Sequence, residues 1–322
     1  MRVLRSLAAA LALGAAAAVP AAAQQPQIVA VTAIIDHPSL DAVREGVRDR
    51  LREAGWEEGK NLRLEYQSAQ GNPATAAQIA RQFVGLKPAV IVPIATPSAQ
   101  AVVAATRDVP VVFSAVTDPV GAQLVRDPKA PGGNVTGVSD FPPVADHLRL
   151  IREILPGAKR LGVPYNPGDA NSVSLLRHLG GISAEHGFTV VQAPATKSAD
   201  VPGAVRSLVG KADAIYTMLD NMVISAFESV AQVADQNDLP VFSGDVDSVG
   251  RGAIASLGFD YRDVGRQTGD IVVRVLKGER PGSIPVALAQ GRDLVVNPAA
   301  AAAQGVAIPE AVLARAGRVI GR

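Results

Sequence analysis

Residues 89–100 read Ala-Val-Ile-Val-Pro-Ile-Ala-Thr-Pro-Ser-Ala-Gln. An apolar, β-branched run stops abruptly, and Thr96-Pro97-Ser98 then carries helix-start chemistry, since Thr is a favoured N-cap and Pro a favoured first helical residue. A helix launched from a strand end leaves backbone N–H groups without helical partners, and these carry partial positive charge. Repeated strand–loop–helix units build parallel sheets, so the reading of this stretch decides the fold class. Thr96 either caps its own helix or, with Ser98 and the amides behind it, holds a ligand carboxylate. The sequence leaves both readings open.

The same unit recurs on either side. Ile28–Ile35 is continuous and β-branched, as in a strand covered on both faces. Asp36-His37-Pro38-Ser39 interrupts it, and Leu40, Val43, Val47, Leu51 and Ala54 then repeat at helical spacing up to Gly55. The charged residues between them form a solvated face. Leu62–Tyr66 and Val109–Val116 are further strands, and Asn72–Val84 a further helix. The pattern restarts at Leu161–Tyr165, with strands at Phe188–Gln192, Asp213–Leu219 and Pro240–Gly244. Strand ends recur at near-constant offsets: Asp36 with Asn166, Thr96 with Asp220, Ala115 with Asp245. Two lobes of one architecture, each a doubly wound parallel sheet, are expected. The tail predicts a helix after Tyr261, a strand at Leu294–Val296 and a last helix over Pro309–Val319. Crossings between the lobes at Ser139–Pro143, near Phe259 and near Ile284 would make both lobes discontinuous.

Composition narrows the function classes. Of 322 residues, 48% are hydrophobic and 19% charged, with a formal net charge of +1, so no basic excess points to nucleic acid. Residues 1–23 read as a signal peptide, with Arg2 and Arg5 ahead of an apolar run from Leu7 to Val19 and small residues at Ala21-Ala22-Ala23. There is no cysteine, which excludes disulfides, thiol catalysis and a lipidated cysteine at the cleavage point. Export without a lipid anchor implies the periplasm.

Ligands of open parallel sheets bind outside the carboxyl ends of the strands. The candidate ligand-binding residues there are His37, Thr96, Ser98, Thr117, Tyr165, Asn166, Asp220, Asn221 and Asp245. Asp220 or Asp245 would counter a ligand ammonium, though Asp also makes caps and turns. Tyr165 stands out in a chain that is 4% aromatic. Catalytic readings fare poorly. The four histidines lack metal-ligand spacing, and there is no Gly-x-Ser-x-Gly elbow. Gly132-Gly133-Asn134-Val135-Thr136-Gly137 lacks the Lys-Ser/Thr of a phosphate loop. Asp245-Val-Asp247 opens like a calcium loop, but Ser256 stands where that loop needs Glu. No catalytic residue, metal site or cofactor is expected.

At these residues the chain resembles the ABC-transporter substrate-binding proteins of the tryptophan/tyrosine-binding type. The resemblance runs through His37-Pro38-Ser39-Leu40-Asp41, Ile94-Ala95-Thr96-Pro97 and Val111-Val-Phe-Ser-Ala-Val-Thr-Asp-Pro-Val120. It continues in Pro131-Gly-Gly-Asn-Val-Thr-Gly-Val-Ser-Asp140, Tyr165-Asn166 with Ala170-Asn171-Ser172, Asp220-Asn221 and Asp245-Val-Asp-Ser-Val249. It implies a type I periplasmic-binding-protein fold, α/β, with two doubly wound lobes joined by three crossovers. The expected lobes are 24–140 with 260–284 and 141–259 with 285–322. It further implies a non-enzymatic monomer that captures a small solute, an aromatic amino acid or related compound, and hands it to a membrane permease. Pro93 and Pro164 depart from the family's usual apolar residues beside the pocket. A receptor presenting ligand to a membrane sensor is the alternative. A transcription regulator's effector domain would need a DNA-binding head where residues 1–25 read as a signal, and a periplasmic enzyme would have to turn its ligand over.

Overall fold

The computed structural model describes residues 25–321; the signal-peptide reading of 1–23 lies outside the described residues. The chain forms two sheets. The first takes β1 (Gln27–Ala33), β2 (Leu62–Ser68), β3 (Val90–Ile94), β4 (Val111–Phe113) and β5 (Val135–Ser139). The second takes β6 (Arg160–Tyr165), β7 (Thr189–Pro194), β8 (Ala214–Thr217), β9 (Val241–Ser243) and β10 (Ala255–Gly258). Their spatial orders are β2-β1-β3-β4-β5 and β7-β6-β8-β9-β10, the same winding twice. Late segments complete both: β11 (Ala287–Leu288) joins β5, while β12 (Asp293–Val296) and β13 (Arg318–Val319) extend the second sheet beyond β10. Only β12 against β10 runs antiparallel among the described pairings.

Helices cover both faces. In the first lobe these are α1 (Pro38–Glu53), α2 (Pro73–Gly85) and α3 (Thr96–Ala105); in the second, α4 (Val144–Ile154), α5 (Ala170–Ile182), α6 (Val201–Arg206), α7 (Asn221–Ser225) and α8 (Phe227–Asp235). α9 (Tyr261–Leu276) returns to the first lobe, and α10 (Pro298–Ala303) and α11 (Glu310–Arg315) close the second. All five residues of β3 are buried, as its unbroken apolar run requires of a strand sandwiched between helix layers. No helix among the described residues is long and apolar enough to cross a membrane.

α9 reaches α1 from more than 200 positions away through a glycine-lined crossing. A Cβ on Gly46 would lie 2.0 Å from the Arg262 carbonyl oxygen, and one on Gly265 would lie 2.1 Å from that of Val43. Only hydrogen at both positions lets the backbones approach this closely. Ion pairs flank the contact, Arg262 with Asp49 and Arg266 with Glu53.

Three details differ from the sequence expectation. β11 pairs with Ser139 and Val138 of the first sheet, so the third crossing runs through 289–292 rather than at 284. The last helix stops at Arg315, and Arg318–Val319 pair with Val295–Val296 instead of continuing it. Residues Val135–Ser139, embedded in a glycine-rich stretch, are a fully buried strand. Pro164 has a visible consequence: β6 pairs with β8 only through Leu161 and Gly162, and the ladder ends before the proline that has no N–H to give.

Candidate functional site

In a sheet wound 2-1-3-4-5 the strand order reverses between the first and third strands, and loops there diverge to leave a crevice. β1 and β3 end there in the first lobe, β6 and β8 in the second. The segments that follow are 34–39, 95–98, 166–171 and 218–224. They face each other across the lobe boundary and enclose a cavity. The first lobe lines it with His37, Ser39, Thr96, Thr117, Asp140 and Tyr261, and the second with Asn171, Leu219, Asn221 and Ile224. Its volume is about 20 Å³, room for about one water. Anything of amino-acid size therefore enters only when the lobes part.

The opening stretch has a specific geometry. Helix α3 begins at Thr96, one residue earlier than its sequence suggests: Ala95, not Thr96, is the N-cap, at φ 70° and ψ 157°. That conformation is almost confined to glycine and costs on the order of 1–3 kcal/mol. Ala115, at the end of β4 and also on the cavity, has φ 51°. With Ala95 as cap, the Thr96 hydroxyl caps nothing; it is 1% exposed and has no partner. An unpaired buried hydroxyl is costly, so its place at a helix start on a cavity wall marks a site for a hydrogen-bonding ligand. Ser98 is buried with an equally unpartnered hydroxyl but does not line the cavity.

His37 precedes α1 with both ring nitrogens buried and unpartnered. Burial lowers its pKa to about 4, against the opposing pull of nearby Asp245, so the ring is neutral. Asn221 lines the cavity from the second lobe, and beside it Asn171 gives its amide to the Leu219 carbonyl while its own Oδ1 stays unpartnered. Thr117 donates to Asp140 Oδ1 at 3.3 Å, and Tyr261 donates its hydroxyl to Asp140 Oδ2 at 3.0 Å. Burial raises the Asp140 carboxyl to about 6 despite those two bonds.

Of the nine residues expected from the sequence, His37, Thr96, Thr117 and Asn221 thus meet at the cavity. The others sit elsewhere. Asp220 is the N-cap of α7: its carboxylate accepts from Met222 N, Val223 N, Asn166 N and Ser172 Oγ, which uses its lone pairs fully. Asp245 accepts from Ser243 Oγ, Ser248 N, Ser248 Oγ and, across the lobe boundary, Ser39 Oγ at 3.1 Å. Asn166 turns its side chain onto Gly168 N. Tyr165 points to the edge of its sheet and donates to Gln192 at 3.2 Å. Sequence reasoning passed over Asp140, Tyr261, Ser39 and Asn171. Asp140 ends β5, and the strand-end rule would have found it had that strand been recognised.

A second contact ties the lobes outside the cavity, Ser174 Oγ of α5 donating to Asp118 Oδ2 at 2.6 Å. With the Ser39–Asp245 bond it holds the cleft shut.

Comparison with known proteins supplies the context for this arrangement. The family model "ABC transporter substrate binding protein" matches residues 28–320. A tyrosine-binding protein of Clostridioides difficile (strain R20291) is 36% identical over 269 residues, covering 84% of this chain and 78% of that protein. A solved structure from Streptococcus pneumoniae, an ABC domain in complex with L-Trp, is 34% identical with a TM-score of 0.88. The ligand-free, open structure of a substrate-binding protein with adhesive properties from Clostridium difficile is 36% identical with a TM-score of 0.69. Both alignments cover 92% of this chain and all of the other. At similar identity and the same coverage, the chain superposes more closely on the tryptophan complex than on the ligand-free, open structure. The fold is the type I periplasmic-binding-protein fold, and the relatives are solute-binding proteins rather than enzymes. From fold, cleft and sequence together, the chain belongs to the ABC transporter substrate-binding protein family.

Proposed function

We propose that this protein captures an aromatic amino acid or a related small solute between its lobes outside the cytoplasmic membrane, in the periplasm, and delivers it to a membrane permease as a monomer. The observation that carries this reading is the Thr96 hydroxyl, buried and unpartnered at the start of a ten-residue helix on the wall of the interlobe cavity. A ligand carboxylate satisfies both the hydroxyl and the helix terminus. Relatives that bind tyrosine and L-Trp support the ligand class. His37, Thr117 and Asn221 complete the polar contacts, with Leu40, Leu219 and Ile224 as the apolar surface for a side chain.

Binding proceeds as a shift between open and closed forms: solute docks on one lobe, and closure adds the contacts of the other. The Ser39–Asp245 and Ser174–Asp118 bonds form only on closure. A thermal-shift screen of refolded protein against the amino acids and other small organic acids tests the reading. At about 100 times its dissociation constant a ligand adds about 2.7 kcal/mol of stability. Stabilisation by tryptophan, tyrosine or phenylalanine is the expected result. A hit confined to another class of solute overturns the ligand, and silence throughout overturns solute capture.

A further inference from the structure

At the lobe boundary, one apolar side chain belongs by sequence to the second lobe and by packing to the first. Met222 lies in the first turn of α7 and gives its amide to Asp220. Its side chain, 3% exposed, joins the buried core of the first lobe. The seat is specific. Gly71, between β2 and α2, stands at φ 77°, and its N–H donates to the Ile34 carbonyl at 2.7 Å, which holds this turn against the segment after β1. A Cβ on Gly71 would lie 3.4 Å from Met222 Sδ, 3.6 Å from Met222 Cε and 3.4 Å from Ile35 Cδ1. The thioether and its methyl thus rest against a glycine whose φ disfavours any side chain, with Ile35 beside them. The hydroxyl that reaches the sulfur, Ser198 Oγ at 3.8 Å, comes from the second lobe.

The Ser39–Asp245 and Ser174–Asp118 contacts are hydroxyl–carboxylate bonds, which water replaces when the lobes part. Parting the lobes instead strips Met222 of its apolar seat and exposes it to water. Of the chain's other methionines, Met1 lies outside the described residues, and Met218 is 1% exposed within the second lobe's own core. Among the described residues, which hold no cysteine, Met222 therefore carries the sulfur that changes surroundings as the cleft opens.

We propose that Met222 is an apolar latch for lobe closure, working with or without solute, and a modification site at which hydrogen peroxide unlatches the protein. In the open form the thioether sulfur attacks one peroxide oxygen. Its lone pair forms the S–O bond, the O–O bond breaks, and the departing oxygen takes up the proton that the new S–OH group sheds and leaves as water. Sulfur loses two electrons, peroxide gains them, and the product is methionine sulfoxide. The sulfoxide is polar, and the first-lobe seat has nothing to offer it, since the Gly71 N–H is already given to Ile34. Closing would bury an unsatisfied oxygen, so the oxidised protein stays open. Closed protein covers the sulfur and resists the reaction, and methionine sulfoxide reductases restore the thioether.

Solution X-ray scattering of ligand-free protein reads the ratio of closed to open forms, and peptide mass spectrometry locates the added oxygen. Met222→Leu keeps an apolar knob without sulfur; it closes as wild type does and holds its ratio under hydrogen peroxide. Met222→Gln puts a polar group of similar length in the seat, and its closed-to-open ratio falls about tenfold or more, as expected when the burial of a methionine side chain is lost. Wild type and Met218→Leu reach the same low ratio once peroxide has oxidised Met222. The peroxide arm starts from folded protein, so it stands even if Met222→Gln folds poorly. A ratio unmoved by Met222 sulfoxide overturns the latch, as does ligand-free wild type that is open throughout. Opening of Met222→Leu by peroxide overturns the modification site. So does a Met222 that oxidises no faster than Met218, since its sulfur would then never leave the core.

Discussion

The two lobes wind their sheets in the same order and bring polar residues to the same reversal point, yet those residues do different work. In the first lobe the groups after β1 and β3, His37 and Thr96, are buried without partners and face the cavity. In the second, the groups after β6 and β8, Asn166 and Asp220, are tied to each other and to the backbone of α7. Polarity at a strand end marks where a ligand can bind. Whether the group is free to bind depends on how fully its own lobe already satisfies it.

Removing Asp220 is the strongest way to break this contrast. Asp220→Ala strands three buried N–H groups and the Ser172 hydroxyl, and a loss of about 3–4 kcal/mol is expected in urea unfolding. If Asp220→Ala instead lost ligand affinity at unchanged stability, the second lobe's rim would be a binding rim after all. The next effect concerns Asp140 in the unliganded protein. Burial lifts its folded-state pKa to about 6 from the ordinary aspartate value of 3.8, so between those values folded protein holds a proton that the unfolded chain has released. Its contribution to stability is therefore present at low pH and lost as pH rises through about 4 to 6. Asp140→Asn has no such loss. Its melting temperature relative to wild type should climb across that window and level off above about pH 7, a gain of up to about 3 kcal/mol. A gap that stays flat with pH would mean that the carboxylate is better solvated than its burial indicates. The smallest effect is Thr96→Val. It removes a hydroxyl with nothing to bond, so unfolding stability should hold or rise slightly. Ligand affinity should fall roughly tenfold, about 1.5 kcal/mol for one hydrogen bond to a charged group. Calorimetry on the variant checks this, and a stability loss without an affinity loss would return Thr96 to a packing role.

Much of the architecture was legible because apolar runs such as Val90–Ile94 and the capped helices after them are local signals. The duplication showed in the offsets between strand ends. Three features escaped for physical reasons. Val135–Ser139 carries Gly137 and follows two glycines, so it resembles a loop until its neighbours β4 and β11 are present to pair with it. Asp140 was hidden with that strand. Ala95 takes the cap position because β3 must turn sharply to enter α3, and a helix start written Thr-Pro gives no hint that the preceding alanine bears the unusual φ. The saturation of Asp220 and Asp245 was out of reach, since Ser172 and Ser39, which donate to them, come from segments far apart in sequence.

The crossing of α1 and α9 at Gly46 and Gly265 bears on when the site comes into being. Residues 25–140 supply His37, Thr96, Thr117 and Asp140, but Tyr261 and the helix that covers their sheet are made only after the whole second sheet up to β10 has been threaded. As the chain emerges from N- to C-terminus, the lobe that begins first is completed late, and the glycine contact is the step that joins its two halves. A ligand for the first lobe therefore meets a finished surface only once nearly the entire protein exists, so binding reports on completed assembly rather than on any part of it.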